Sequence, residues 1–149
     1  MRAVVQRILQ AEVEINGEIK GRCERGLLVY LSVATEDSEE DTQFIAEKLV
    51  NLRIFEDESG RMNRSVLDIS GGILLISNFT LHGDCRKGRR PSFDAAAKPE
   101  TAQELYEKVR ELIAERNIMV QTGVFGEHMN VSSTNDGPVT FLLDSSRLF

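Results

Sequence analysis

Hydrophobic residues recur along this chain with two periods, and the switches between them mark out its elements. Ala3-Val4-Val5-Gln6-Arg7-Ile8-Leu9 is β-branched and strand-like. Glu12 to Lys20 alternates polar and apolar positions around Asn16-Gly17, a dipeptide that between alternating runs signals a two-residue hairpin. Gly26 opens Leu27 to Ala34, a continuous apolar run with the length of a strand buried on both faces. The period then changes. Ser38 can cap a helix whose first turn is acidic and in which Phe44, Ile45, Leu49 and Leu52 recur at helical spacing. Arg53-Ile54-Phe55 returns to strand, Glu56 to Gly60 is a turn by composition, and Met62 to Ile69 reads as loop or short edge strand. Ser70-Gly71-Gly72 breaks the chain ahead of a second buried strand, Ile73 to Ile76. That strand runs directly into Ser77-Asn78-Phe79-Thr80-Leu81, which puts hydroxyl and amide groups where a sheet opens and sites tend to be built.

A second helix begins near Pro99, a favourable first-turn position, with Ala102, Leu105, Tyr106, Val109, Leu112 and Ile113 on one face. Ile118 to Thr122, Met129 to Ser132 and Val139 to Asp144 read as three further strands, with a bend at Gly123 to Gly126. About seven or eight strands with two separate helices predict an α+β fold. The expected architecture is a curved, largely antiparallel sheet that can roll into a barrel, with the helices on one side. Two helices leave a face or edge of such a sheet open, and a homodimer is the simplest cover.

Composition sets the bounds. The 149 residues are 41% hydrophobic and 28% charged, enough for one domain, residues 1–149, with a real core. No window approaches the roughly 18 apolar residues of a membrane span, and Met1 to Arg7 carries charge where a signal peptide needs its apolar run, so a cytoplasmic protein with no membrane partner is expected. Cys23 and Cys85 form no CxxC pair and should be reduced; His82 and His128 form no HxxxH or HExxH pattern. No metal and no cofactor are expected. The net charge of −6 argues against a nonspecific nucleic-acid binder, and no DNA partner is expected. Arg86-Lys87-Gly88-Arg89-Arg90 runs the other way, placing four cations in five residues where a phosphate could be met locally.

Two stretches carry the candidate chemistry: Ser77 to Leu81, and Asn135-Asp136-Gly137-Pro138-Val139-Thr140. Glycine supplies dihedrals that other residues resist, and proline fixes φ and removes a donor. An X-Pro bond prefers trans by only about 0.5 to 1 kcal/mol, so Gly137-Pro138 reads either as a rigid cis hook or as an ordinary turn ahead of a strand. Thr80 is the natural nucleophile candidate. On an extended chain His82 would share its face, leaving a Thr80–His82 pair geometrically open. Against that stands the plainer reading of His82 and His128 as loop residues. Phe79, Phe125 and Met129 fit an apolar or base-stacking pocket and equally a core. With no triad, metal set or paired carboxylates in view, an enzyme here would rely on backbone donors and on a reactive group brought by the substrate.

With Arg86 to Phe93 and Thr122-Gly123-Val124-Phe125-Gly126 between them, these stretches resemble the D-aminoacyl-tRNA deacylase family. The resemblance covers essentially the whole chain, including its Met1 to Arg7 opening, and is most specific at Asn135 to Thr140. It implies a homodimeric hydrolase, acting on aminoacyl-tRNA at the 3′ end, that releases D-amino acids and misattached glycine. It implies that Ser77, Asn78, Phe79 and Thr80 line the reacting ester, with N–H groups near Phe79 and Thr80 as oxyanion donors and the terminal ribose 2′-OH helping the attacking water. Gly137 and Pro138, with Asn135, would form a cis hook that reaches into the other subunit's pocket, holds the α-amino group and excludes L-side chains. Phe125 and Met129 would receive the terminal adenosine, and Arg86, Lys87, Arg89 and Arg90 the tRNA phosphates. The chain departs from the family pattern at Asn78, where Gln is usual, at His82-Gly83 for Tyr-Ala, and at Ser133-Thr134 for a more apolar pair. A tRNA 3′-end binding module without hydrolysis is the other reading that the residues leave open.

Overall fold

The computed structural model describes residues 1–148. Its frame is one long bent hairpin. β1 (Arg2–Ile15) turns at Asn16-Gly17 and returns as β2 (Glu18–Cys23) and β3 (Gly26–Ser32), both antiparallel to β1 on one edge. Asn16 and Gly17 take φ of 52° and 82°, the paired left-handed conformation that a two-residue hairpin needs. β1's other edge carries β8 (Asn130–Asp144), again antiparallel. β6 (Gly72–Ser77) lies parallel to β3, and β7 (Val120–Thr122) parallel to β6. The sheet is therefore mixed, its antiparallel part built on β1 and its parallel part on β3, β6 and β7.

The sheet curls almost shut where β2 meets β7. Gly21 sits at that seam, and a Cβ there would lie 2.5 Å from the Thr122 carbonyl oxygen. The two continuous apolar runs are explained by cores on both sides of the curl. Leu27, Val29, Leu31, Ile73 and Leu75 face the helices, whereas Leu28, Leu74 and Ile76 face the barrel interior with Ile8, Val13 and Cys23. α1 (Glu39–Asn51) and α2 (Pro99–Ala114) cover the first side. At the start of α1, Asp41 Oδ2 accepts from the Ser38 N–H at 2.8 Å and from its hydroxyl at 3.1 Å. The buried stripe of α1 is Thr42, Ile45, Ala46, Leu49 and Val50; Phe44 and Leu52 are only partly buried at its margin.

Three sequence expectations change. The strand expected at Arg53 to Phe55 is a two-residue β4 (Phe55–Glu56), paired with β5 (Met62–Arg64) in a separate small sheet. Met129 to Ser132 and Val139 to Asp144 belong to one strand rather than two, because β1 offers a partner along the whole length. Between them β8 bulges: Ile8 faces Asn135 and Gln6 faces Thr140, so two steps of β1 meet five of β8. The bulge contains the Gly137-Pro138 peptide, which is cis. The third change concerns Thr80 and His82. Phe79–His82 is a single 3₁₀ turn, not an extended segment, so the two side chains part and no Thr80–His82 pair forms.

Candidate active site

β3, β6 and β7 run parallel, so their carboxyl ends lie together at one end of the barrel, the place where α/β sheets open a crevice. A cavity of about 600 Å³ sits there. Its floor is Tyr30 to Val33 from the end of β3 and Ile76 to Asn78 from the end of β6. Its walls are Phe79 and Phe93, the first turns of α2 through Tyr106, and Phe125 to Met129 after β7. The lining is chiefly apolar and aromatic. The Phe79 and Phe93 rings meet edge to face at 5.0 Å and 70°, and Tyr106 lies 5.9 Å from Phe125. The Tyr106 hydroxyl donates to the Leu75 carbonyl at 2.7 Å, which fixes this buried ring against the wall.

The turn at the rim carries the polar chemistry. The Asn78 N–H donates to the Leu31 carbonyl at 2.8 Å, so the chain leaves β6 still tied to β3. The Thr80 hydroxyl donates to Asn78 Oδ1 at 2.6 Å. As the opening donors of a 3₁₀ turn, the N–H groups of Phe79 and Thr80 have no partner inside it. Phe79 is 56% exposed, and Thr80 is exposed as well. Thr80 is exposed outside the lined cavity, with no histidine to activate its hydroxyl. His82 instead turns inward. It is buried, with Nδ1 2.6 Å from Ser32 Oγ, and burial, followed by the Arg2 guanidinium and the Met1 ammonium, pushes its pKa below the ordinary histidine value. His128 lies exposed at the cavity mouth.

The other candidate residues fall in two further places. Arg86, Lys87, Arg89 and Arg90 ride on an exposed loop that a bridge between Asp84 and Ser92 closes beside Phe93, so the loop springs from the cavity rim. Arg86 is held by Asp84, with Nε and Nη2 at 2.9 and 2.7 Å, and the Arg86 contacts draw Asp84 down to about 2. Gly137 and Pro138 are exposed on the β8 bulge and do not line this chain's own cavity. Asn135 shapes the bulge, donating Nδ2 to the carbonyls of Arg7 at 2.9 Å and Val139 at 3.0 Å. Behind it, the buried Arg7 donates Nη1 to the Ile54 carbonyl at 2.7 Å, while its Nε lies 2.9 Å from Asp136 Oδ2 in an ion pair whose angle is too poor for a hydrogen bond.

Of the residues nominated from sequence, the cavity brings Ser77, Asn78, Phe79, Phe125 and Met129 together. Sequence reasoning missed Tyr30, Ser32, Phe93 and Tyr106. Tyr106 was legible as a buried position of α2, and Ser32 as a lone polar residue inside the apolar run Leu27 to Ala34; neither position says what it faces. Among the described residues no cluster of three or more His, Cys, Asp or Glu side chains could hold a metal, and no helix is long and apolar enough to cross a membrane.

The architecture is a curled mixed sheet with an aromatic cavity at its parallel strand ends, bordered by a 3₁₀ turn. The chain belongs to the family described as D-Tyr-tRNA(Tyr) deacylase, whose model matches residues 4–144. It is 54% identical over 149 residues to the D-aminoacyl-tRNA deacylase of Thermosipho africanus (strain TCF52B), and 56% identical over 149 residues to that of Alkaliphilus metalliredigens (strain QYMF), each match covering 100% of both chains. A solved structure named c-Myc DNA Unwinding Element Binding Protein shares the fold with a TM-score of 0.92 and 39% identity, over 97% of this chain and 98% of the other. A probable eukaryotic D-amino acid tRNA deacylase is similar at a TM-score of 0.82 and 18% identity, over 95% of this chain and 97% of that one, a likeness of fold alone.

Proposed function

We propose that this protein is a hydrolase that cleaves the ester joining a D-amino acid, or glycine, to the 3′ end of tRNA. The observation that carries the reading is the pairing of an aromatic cavity with the two open N–H groups at its rim, in a chain of this family. Some 600 Å³ lies within the range of pockets that enclose a small ligand, and the rings of Phe79, Phe93 and Phe125 suit a stacked adenine. An ester carbonyl held against the turn develops negative charge as water adds to it. The N–H groups of Phe79 and Thr80 would receive that charge, a contribution typically worth about 10²- to 10³-fold per donor. Ser77 and Asn78 border the same end of the cavity and orient the ester. The vicinal 2′-OH of the terminal ribose assists the attacking water. Collapse of the adduct expels the ribose 3′ oxygen, freeing tRNA and the amino acid.

Chiral selection needs a second copy of the chain. Gly137 and Pro138 are exposed and lie away from their own cavity, and β8 pairs along one edge only among the described residues, which supports a homodimer in which each bulge enters the partner's pocket. There the backbone carbonyls would hold the substrate ammonium, so that an L-side chain meets the hook while a D-side chain or glycine's hydrogen does not. Lys87, Arg89 and Arg90, with Arg86, would meet the phosphates leading to the 3′ end. The test is amino-acid release from matched D- and L-aminoacyl-tRNA carrying one side chain, with metal chelated and the oligomeric state measured in the same buffer. Release from the D-ester alone, by a dimer, is expected. Binding of tRNA with no release from either ester would replace hydrolysis by a binding module.

A further inference from the structure

We propose that Ser32 and His82 form a positioning pair for this reaction, holding the peptide unit whose N–H faces the ester. The inference rests on the reading that the turn's N–H groups receive the developing oxyanion.

Ser32 is the last residue of β3 and His82 the last of the 3₁₀ turn, and they come from segments 50 positions apart. Both are buried, at 2% and 6% exposure, so their contact is shielded from water. Ser32 Oγ lies 2.6 Å from His82 Nδ1 and 3.3 Å from the Phe79 carbonyl oxygen, to which the hydroxyl donates. That carbonyl and the Thr80 N–H belong to one peptide unit. In a trans peptide they point in opposite directions, so a carbonyl held inward by Ser32 turns the Thr80 N–H outward. A weak bond at 3.3 Å holds this orientation only if the hydroxyl itself cannot rotate away, and His82 supplies that restraint. The Leu81–His82 peptide, two units further on, is fixed separately, by Arg2 Nη1 donating to the Leu81 carbonyl at 3.2 Å.

Arg2 and the Met1 ammonium face His82 on one side of the charge balance, Asp37 and Asp144 on the other, and burial favours the neutral ring. The pair therefore works as a hydrogen-bonded unit without a net charge of its own. Ser32 lies in the cavity floor and His82 behind it, outside the lining, and the pair is assigned a positioning role distinct from that of the donors that it orients.

The experiment uses the full chain with one D-aminoacyl-tRNA, comparing Ser32→Ala, His82→Leu and His82→Asn with the parent protein. Steady-state kinetics, affinity for uncharged tRNA and thermal melting are measured for each. In His82→Asn the new side-chain amide reaches the place of the imidazole Nδ1, whereas the leucine of His82→Leu fills the space without a polar atom. A roughly tenfold or larger fall in kcat is expected for Ser32→Ala and His82→Leu, with KM and tRNA affinity within about twofold, and His82→Asn should recover most of the loss. Unchanged kcat in Ser32→Ala and His82→Leu overturns the pair. So does a loss that follows the folded fraction or tRNA affinity, or one that His82→Asn does not repair. A parent protein without hydrolysis removes the functional reading itself, and the pair with it; that outcome is visible before any variant is compared.

Discussion

The basic loop offers a test in which the structure sets the size of the effect. Four cations stand in Arg86 to Arg90, yet Arg86 is already paired with Asp84, while no ion pair among the described residues engages Lys87, Arg89 or Arg90. Each phosphate neutralised by a protein cation adds about 0.7 to 0.9 to the slope of log affinity against log salt. Three free cations therefore account for a slope of about 2 to 3, and raising salt from about 50 to 200 mM should cost the parent protein roughly 20- to 40-fold in affinity that a Lys87→Gln, Arg89→Gln, Arg90→Gln triple variant no longer loses. Arg86→Gln should change the slope by less than any one of the other three. The assay is a fluorescence titration of uncharged tRNA at four salt concentrations, with kcat at saturating substrate as the control. Because the loop lies beside the cavity and not inside it, kcat should hold. An unchanged slope in the triple variant would show that the phosphates are met elsewhere. An Arg86→Gln effect equal to the others would show that the contact with Asp84 does not hold Arg86 away from RNA.

Other predictions follow from single contacts. Gly21→Ala should lower the urea midpoint by an amount equivalent to about 2 to 3 kcal/mol, because the new Cβ meets the Thr122 carbonyl, a backbone atom across the barrel seam, at 2.5 Å; an unchanged midpoint would mean that the seam yields freely. The Ser59 hydroxyl, then the Arg61 N–H, draw Asp57 down from 3.8 to about 2. The folded state thus prefers the ionised form, so its contribution is present above pH 3.8 and lost as pH falls toward about 2, and Asp57→Asn should flatten that part of an acid unfolding curve. His82 has the opposite sign of group, a base held below its ordinary value of 6.5, so the unfolded chain binds more protons just below that pH and stability should fall there on acidification; His82→Asn should remove the dip. Cys85 is exposed, whereas Cys23 is buried and pushed up to about 11, first by burial and then by Glu24. An alkylating reagent at about pH 8 should modify one thiol rapidly in the native protein and the second only on unfolding.

Local chemistry explains which parts of this fold could be read in advance. The hairpin at Asn16-Gly17, the cap at Ser38 and the start of α2 at Pro99 are each dictated by residues within a few positions, and each stands where the sequence puts it. The apolar runs of β3 and β6 were legible because burial on both faces leaves no room for polar alternation. The strand boundaries around Gly137-Pro138 were not. A glycine followed by proline ends a strand when its neighbours are considered alone, but a 14-residue β1 supplies bonding partners on both sides of the interruption, so the pair becomes a bulge within one strand. Long-range pairing overrode a local stop signal.

The same division runs through the site. Residues that act by their type, such as the aromatic Phe79 and Phe125, can be nominated from a sequence, and the cavity brings these two together. Residues that act by direction cannot. Nothing in Phe79-Thr80-Leu81-His82 requires a 3₁₀ turn in preference to an extended segment, and the choice between them decides whether His82 meets Thr80 on the surface or Ser32 in the interior. It also decides whether two N–H groups are consumed in a ladder or left open at the rim. The orientation of these peptide units is fixed by their partners across the fold: Leu31 for the Asn78 N–H, Ser32 for the Phe79 carbonyl and Arg2 for the Leu81 carbonyl. A site of the proposed kind, built on backbone groups, is therefore less visible in sequence than a side-chain triad would be. On that reading it should also be more tolerant of side-chain change, at Asn78 included, whose Oδ1 accepts from Thr80.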